Sequence, residues 1–233
     1  MQKFLILYLF IFISAVAKAQ TALVKDPEGY CNVRQAAGNQ SKIIDTLTNN
    51  KIVFVYPEQA EGNWWPVDYT KGDKTRSGYV HKSRVTLLSN FTKFKQKTIN
   101  DSTLKLHLDS FQLSVKTGKF NKKSRQIKYE NHEGEQAFVK AIDNKHPWGT
   151  DGNVPIKEYK LIQFTTGSNV ISFPRSLYND LFEPNLDMTM AYVDRSTGKV
   201  YIEAINSDGA GGYVVIWIID YNKIIGRETF IPF

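Results

Sequence analysis

The sequence is most informative between residues 61 and 81. It reads Glu61-Gly62-Asn63-Trp64-Trp65-Pro66-Val67-Asp68-Tyr69, then Lys71-Gly72-Asp73, then Ser77-Gly78-Tyr79-Val80-His81. Both apolar runs are short, and turn residues such as Gly, Asn and Asp bound them, which is typical of β-strands joined by tight turns. Because neighbouring residues of a strand point to opposite faces, one of Trp64 and Trp65 must point inward.

Shorter runs of the same kind precede this stretch. Asp26-Pro27-Glu28-Gly29 has the composition of a turn, and Tyr30-Cys31-Asn32-Val33-Arg34 alternates as a strand does. Residues 42–47 and 52–56 are rich in Ile and Val. About five short strands without helical periodicity predict a small β-barrel.

Four motifs recur here in a particular order and spacing. They are Asp26-Pro27-x-Gly29-Tyr30-x-Asn32-Val33-Arg34, Ile44-x-Thr46-Leu47, Gly62-Asn63-Trp64-Trp65-x-Val67 and Gly78-Tyr79-Val80-His81-x-Ser83-Arg84-Val85. Together they resemble a bacterial SH3-like domain spanning residues 22–88. The resemblance implies a barrel used mainly for binding, with Trp65 in the core and Trp64 exposed. Such domains are common in cell-wall hydrolases and other envelope proteins, and some bind peptidoglycan peptides.

Aromatic and cationic side chains predict a ligand-binding groove on this barrel. Aromatic rings provide flat surfaces with polar tips, and an Arg guanidinium can pair with the carboxylate of a peptide. The predicted groove residues are Tyr30, Arg34, Trp64, Tyr69 and Tyr79. The alternative is that the barrel only packs against the rest of the chain, which then fills the groove.

The N-terminus has the layout of a secretory signal peptide. A short basic start at Lys3 is followed by an apolar run over residues 4–17, and Ala17-Lys18-Ala19 is the small-x-small cleavage pattern. The apolar run is too short to span a bilayer. We therefore expect residues 1–19 to be removed and the protein to be exported, to the periplasm or out of the cell, with no later membrane span. The single cysteine, Cys31, excludes an internal disulfide and is expected to be buried.

Positive charge is concentrated in one stretch. The formal net charge of the chain is +7, and residues 91–128 contain ten Lys or Arg against two Asp. Residues 89–100 are expected to be a basic linker. The stretch either contacts anionic envelope polymers or is a solvated surface. The expected compartment argues against nucleic acid as a partner.

Residues 101–233 contain further strand-like runs joined by turns. A clear example is the pair 188–193 and 199–205 around Asp194-Arg195-Ser196-Thr197-Gly198. At most one short helix is expected, over residues 174–181. The predicted fold is therefore mainly all-β: a small SH3-like barrel followed by a larger antiparallel sandwich or curved-sheet module of unknown function.

Two glycine-rich loops lie in this second part, over residues 146–155 and 206–213. With Glu183-Pro184-Asn185-Leu186 they resemble secreted bacterial proteins of unknown activity, which implies no function. Turn formation explains them most simply. Weak candidates for calcium ligands are Asp151, Asp187 and Asp208, but their spacing does not match an EF-hand loop, so no metal site is predicted.

Catalytic arrangements are not recognisable in the sequence. There is no H-E-x-x-H or G-x-S-x-G motif, and the histidines at 81, 107, 132 and 146 are scattered. Glu130, Glu133 and Glu135 cluster in a polar turn. No catalytic residue and no cofactor is predicted. The expected function is an exported, non-enzymatic binding protein of the cell envelope, whose barrel binds peptidoglycan or docks a protein partner. The alternatives are a wall-active hydrolase targeted by its barrel and a purely structural interaction module.

Overall fold

The structure, a computed structural model, describes residues 19–72, 74–131, 137–220 and 223–231. Residues 1–18, and with them nearly all of the predicted signal peptide, lie outside this part. The described residues form strands and six short 3-10 turns, so the fold is all-β as predicted. The turns are Pro57–Gln59, Lys82–Arg84, Leu88–Asn90, Lys122–Ser124, Arg175–Leu177 and Gly209–Gly211. Within the described ranges, no helix has the length and apolarity needed to cross a bilayer.

The first seven strands form one antiparallel sheet in the order β3-β2-β6-β5-β4-β1-β7. Each of them contributes at least one side chain to a single apolar core, so the sheet curls around that core as a barrel. Cys31 belongs to this core and is 2% exposed, as expected from the sequence. The strands are β1 (Gln20–Val24), β2 (Tyr30–Arg34), β3 (Ile43–Thr48), β4 (Ile52–Val55), β5 (Trp64–Lys71), β6 (Lys74–His81) and β7 (Val85–Leu87).

The hairpin β5–β6 has a regular register from Trp64 opposite His81 to Lys71 opposite Lys74. Gly78 lies where β6 passes close to β2. A Cβ atom at this position would come within 2.4 Å of Cγ1 of Val33, so a residue without a side chain is required there.

The remaining strands build two five-stranded antiparallel sheets and one two-stranded sheet. The first five-stranded sheet has the order β15-β14-β11-β10-β9, and the second has the order β19-β18-β17-β16-β8. Apolar side chains of both sheets meet in one core, which makes this part a β-sandwich. The strands are β8 (Thr92–Lys93), β9 (Lys95–Asn100), β10 (Thr103–Leu108), β11 (Phe111–Lys119), β12 (Ile127–Glu130), β13 (Phe138–Ile142), β14 (Lys157–Thr166), β15 (Asn169–Ser172), β16 (Thr189–Asp194), β17 (Lys199–Asn206), β18 (Tyr213–Asp220) and β19 (Lys223–Phe230).

Residues 89–100, expected as a linker, contain two of these strands. β8 pairs with β16 and β9 pairs with β10, while Phe94 between them is buried in the sandwich core. Both are edge strands, which explains why lysines and polar residues dominate their sequence.

The sheet β19-β18-β17-β16-β8 is covered on both faces. Along β18, Val215 and Trp217 face the sandwich core, whereas Val214 and Ile216 face the barrel. A strand with one solvated face alternates between apolar and polar residues, but β18 reads Tyr-Val-Val-Ile-Trp-Ile-Ile-Asp. The continuous apolar run is therefore explained by the third layer, which is the barrel.

The barrel contacts this central sheet through its strands β1 and β4. Leu23, Ile52 and Phe54 join Tyr201 and Phe230 in one apolar cluster, and the rings of Phe54 and Phe230 meet edge to face with centroids 4.8 Å apart. Unfolding the barrel would therefore expose apolar surface of the sandwich.

Polar contacts border the same interface. Lys25 pairs with Asp194 at 2.7 Å, and Lys51 pairs with Glu228 at 3.0 Å. Burial by itself would raise the pKa of Asp194, but hydrogen bonds from Lys25 and Ser196 outweigh this effect and lower it to about 2. The hydroxyl of Thr21 donates to the buried carboxyl of Glu203, whose pKa burial raises.

Candidate functional site: a cleft on the barrel

The strands β2, β5 and β6 present an aromatic outer face. Trp65, Val67 and Tyr69 point toward the barrel core, so Trp64 points outward by alternation. Trp64 lies opposite His81 in the hairpin, and the two rings meet edge to face with centroids 5.3 Å apart. This arrangement agrees with the orientation expected for the two adjacent tryptophans.

Arg34 covers part of this aromatic surface. Its guanidinium carbon lies 5.6 Å from the centroid of the Trp64 ring, a cation–π distance. Its Nη1 donates to the carbonyl oxygen of Ser41 at 2.6 Å, which fixes the side chain over the ring. Among the described residues, Arg34 has no ion pair, so its remaining N–H donors can meet an anionic ligand.

A cavity of about 230 Å³ lies beside Arg34 and Trp64. Tyr30, which is 42% exposed, forms one wall, and His81 lies at another. Nδ1 of His81 lies 3.4 Å from the backbone nitrogen of Ser83, which donates to it, and 2.8 Å from the hydroxyl oxygen of the same residue, and these contacts orient the ring. The lining residues are Asp26, Glu28, Tyr30, Cys31, Asn32, Arg34, Asn39, Trp64, His81, Ser83 and Arg84. In the part of the chain that the structure describes, all lining residues belong to the barrel and none to the sandwich.

Charges around the cavity are partly compensated. Nη1 of Arg84 donates to both carboxylate oxygens of Asp26, at 2.8 and 2.9 Å. This pair neutralises the buried Asp26 and fixes the turn before β2. Arg34 and the exposed Glu28 then remain as charges of opposite sign at the cavity.

Three of the five predicted groove residues, Tyr30, Arg34 and Trp64, line the cavity. Tyr79 lies on the same outer face but outside the cavity, and its hydroxyl donates to Glu61 at 2.8 Å, which raises the pKa of Tyr79. Tyr69 is not a groove residue. It is 1% exposed in the barrel core, and its hydroxyl donates to Asp45 at 3.0 Å. Burial and this hydrogen bond raise the pKa of Tyr69 to about 12.

Cys31 borders this cavity but belongs to the barrel core, where it is 2% exposed. Burial raises its pKa to about 11, with a further contribution from Asp26. Such a thiol is protonated at neutral pH and is a poor nucleophile. The geometry therefore gives Cys31 a structural role.

The weak calcium candidates Asp151, Asp187 and Asp208 come together at a second, open cavity of about 740 Å³. The two glycine-rich loops form part of it, and they are joined where the hydroxyl of Ser207 donates to the carbonyl of Gly149 at 3.0 Å. Across the described ranges, however, no three carboxylate, imidazole or thiol groups approach closely enough to hold a metal ion.

The other polar residues considered from the sequence do not converge either. His107 lies on β10 and His146 packs edge to face on Trp148 with centroids 4.8 Å apart. Glu130 accepts a hydrogen bond from Lys140 at 2.8 Å. His132, Glu133 and Glu135 lie outside the described residues.

Comparison with known proteins gives one result. Residues 29–86 match the family model of the bacterial SH3 domain. The SH3 segment runs from the turn before β2 into β7 and includes Tyr30, Arg34, Trp64 and His81. It leaves out β1, which completes the barrel and reaches the sandwich. Searches of the curated proteins and of the solved structures gave no match to the chain. The SH3 domain points to a module that binds cell-wall material or protein.

Proposed function

We propose that this is an exported, non-enzymatic binding protein of the cell envelope, whose SH3 domain binds a short peptide of peptidoglycan in the cleft between Tyr30, Arg34 and Trp64. The observation that carries this proposal is that no described residue of the sandwich lines the cleft. The sandwich packs on the apolar outer sides of β1 and β4, while the lining of the cleft comes from the barrel alone. This geometry disfavours the alternative in which the second part of the chain fills the groove.

The chemistry of the cleft fits a peptide with charges of both signs. Arg34 supplies donors for a carboxylate, and such charge-assisted hydrogen bonds are among the stronger ones in proteins. Glu28 supplies an acceptor for an amino group at the rim. Tyr30 and Trp64 supply flat surfaces for the aliphatic parts of the ligand. Peptidoglycan stem peptides combine these three features.

Export rests on the predicted signal peptide at residues 1–19 together with the usual envelope location of bacterial SH3 domains. Cleavage after Ala19 would leave Gln20 as the first residue, which is also the first residue of β1. The folded part would then begin directly at the mature N-terminus. N-terminal sequencing of the secreted or periplasmic protein measures this directly.

Sedimentation with insoluble peptidoglycan tests the binding proposal. Trp64→Ala removes the central aromatic surface, and loss of such an anchor is expected to weaken binding about tenfold or more. The matched control is Tyr129→Ala, another exposed aromatic residue, which lies on β12 and is 47% exposed. Equal binding by the wild type and the Trp64 variant would exclude the cleft. If neither sediments, peptidoglycan is not the ligand, and a protein partner or a filled groove becomes the hypothesis to test.

A further inference from the structure

The sheet β15-β14-β11-β10-β9 has one face that no other layer covers within the described residues. On β10 and β11, Leu104, Leu106, Leu113 and Val115 face the sandwich core. The residues that alternate with them point away from the core. We call this surface the outer lysine face and define it by Lys95, Lys105, His107, Gln112, Ser114 and Lys116.

Three lysines of this face lie on one diagonal across three strands. Lys95 is paired with His107, and Lys105 is two residues before His107 on β10. Lys105 is in turn paired with Ser114, and Lys116 is two residues after Ser114 on β11. Diagonal neighbours of this kind in antiparallel strands are about 7–8 Å apart. The three lysines therefore start from one diagonal row, and a bulge in the β9–β10 pairing lies between Lys95 and Lys105.

The charge of these lysines is not compensated locally. None of the three takes part in an ion pair with any residue that the structure describes. The residues paired with Gln112 and Ser114 on β14 are Thr165 and Gln163, which are uncharged. By contrast, Lys160 on β14 pairs with Glu158.

We infer that the outer lysine face binds a linear polymer that carries one phosphate group per repeat. A row of cations across three neighbouring strands fits an extended chain of anions better than a single compact headgroup. Lysine interacts with phosphate as a point charge, whereas the planar guanidinium of arginine forms paired hydrogen bonds. A row of lysines therefore recognises the charge of the ligand and not a planar group. A membrane surface fits less well, because adhesion to lipid needs apolar side chains that insert. The large apolar residues described in these rows are Leu161, which is half-buried, and Val170 on the edge strand, which is 56% exposed. A single exposed apolar residue does not make an inserting surface.

This site is separate from the SH3 cleft and does not depend on its ligand. It gives the basic stretch at residues 91–128 a specific surface: Lys95, Lys105 and Lys116 belong to it, whereas Lys123 lies in a 3-10 turn and Lys128 on β12. Lysines of the same basic stretch that lie off this face therefore serve as a matched control.

The test measures binding of the purified protein to long-chain inorganic polyphosphate at low salt. The variant Lys95→Gln/Lys105→Gln/Lys116→Gln removes three charges from the face. At about fivefold per lysine near an anionic surface, binding is expected to weaken by about 100-fold. The control Lys42→Gln/Lys123→Gln/Lys128→Gln changes the net charge equally at exposed lysines elsewhere and is expected to stay within about fivefold. Each charge contributes about 0.7 to the magnitude of the slope of log affinity against log salt. Removing three lysines is therefore expected to reduce that magnitude by roughly 2.

Three results would overturn the inference. One is the absence of polyphosphate binding by the wild type. Another is an equal loss in both triple variants, which would mean that net charge alone attracts the polymer. The third is much tighter binding to phosphatidylglycerol vesicles than to polyphosphate, which would make the occupant a membrane. An unchanged circular dichroism spectrum and melting temperature of the face variant would confirm that it is folded.

Discussion

Replacing Phe54 with alanine tests whether the barrel and the sandwich are one cooperative unit. Phe54 is 4% exposed and lies in the interface cluster, edge to face with Phe230. Removing a buried Phe side chain costs about 3–5 kcal/mol, including the cavity that remains. For a chain of this size each kcal/mol lowers the melting temperature by about 2–4 °C. We expect a decrease on the order of 10 °C in a single transition.

Thermal unfolding measured by circular dichroism gives the midpoint, and hydrogen exchange shows which parts open. Because Phe54 contacts the central sheet, amides of β17 in the sandwich are expected to exchange faster in Phe54→Ala. Ile43→Ala, at a barrel position that is 47% exposed, is expected to change stability by less than about 0.5 kcal/mol. Unchanged exchange in β17, or two separate unfolding transitions, would refute the shared-core reasoning.

Three further changes have defined outcomes. Burial raises the pKa of Glu203, so the folded state binds the proton of this carboxyl more tightly than the unfolded state does. The stability that the protonated carboxyl contributes is therefore lost as the pH rises from the pKa in the unfolded state to the higher pKa in the folded state. Glu203→Gln is therefore expected to melt higher than the wild type in alkaline buffer but not in acid; a constant difference would be contrary to this. Gly78→Ala places a Cβ 2.4 Å from Val33 and is expected to cost about 1–3 kcal/mol in urea unfolding. Gly118→Ala, which meets only the flexible Lys160 side chain at 3.1 Å, is the control and should cost clearly less. Cys31, with its pKa raised to about 11 by burial, should resist iodoacetamide until the protein is denatured; rapid labelling of the native protein would contradict that.

Strand alternation was sufficient to predict most of the barrel and part of the cleft. It places Tyr30 and Arg34 on one face of β2 and separates Trp64 from Trp65. The same alternation puts Tyr69 on the inner side with Trp65, and the prediction that Tyr69 lines the groove was wrong for that reason. The partner that makes its buried hydroxyl acceptable, Asp45, lies on another strand and is visible only in the structure.

Other features depend on pairing that the sequence does not encode locally. His81 reaches the cleft because the hairpin register sets it opposite Trp64, and this requires the exact length of the turn. The sequence did not predict β9, because an edge strand tolerates lysines and the composition of β9 is therefore the same as that of a linker. The apolar run of β18 predicts a strand buried on both faces, but not that the barrel is the layer that covers it.

Titration with a short peptidoglycan stem peptide, with its carboxylate either free or amidated, tests whether the cleft recognises that carboxylate. The account predicts saturable binding of the peptide with a free carboxylate and weaker binding of the amidated peptide. A hydrogen bond to a charged group contributes about 1.5–3 kcal/mol, so Arg34→Gln should reduce the affinity for the free-carboxylate peptide about 10- to 100-fold. The affinity for the amidated peptide should change much less. Equal affinity for the two peptides in the wild type, or equal losses for both in Arg34→Gln, would contradict carboxylate recognition by Arg34 and with it the proposed role of the cleft.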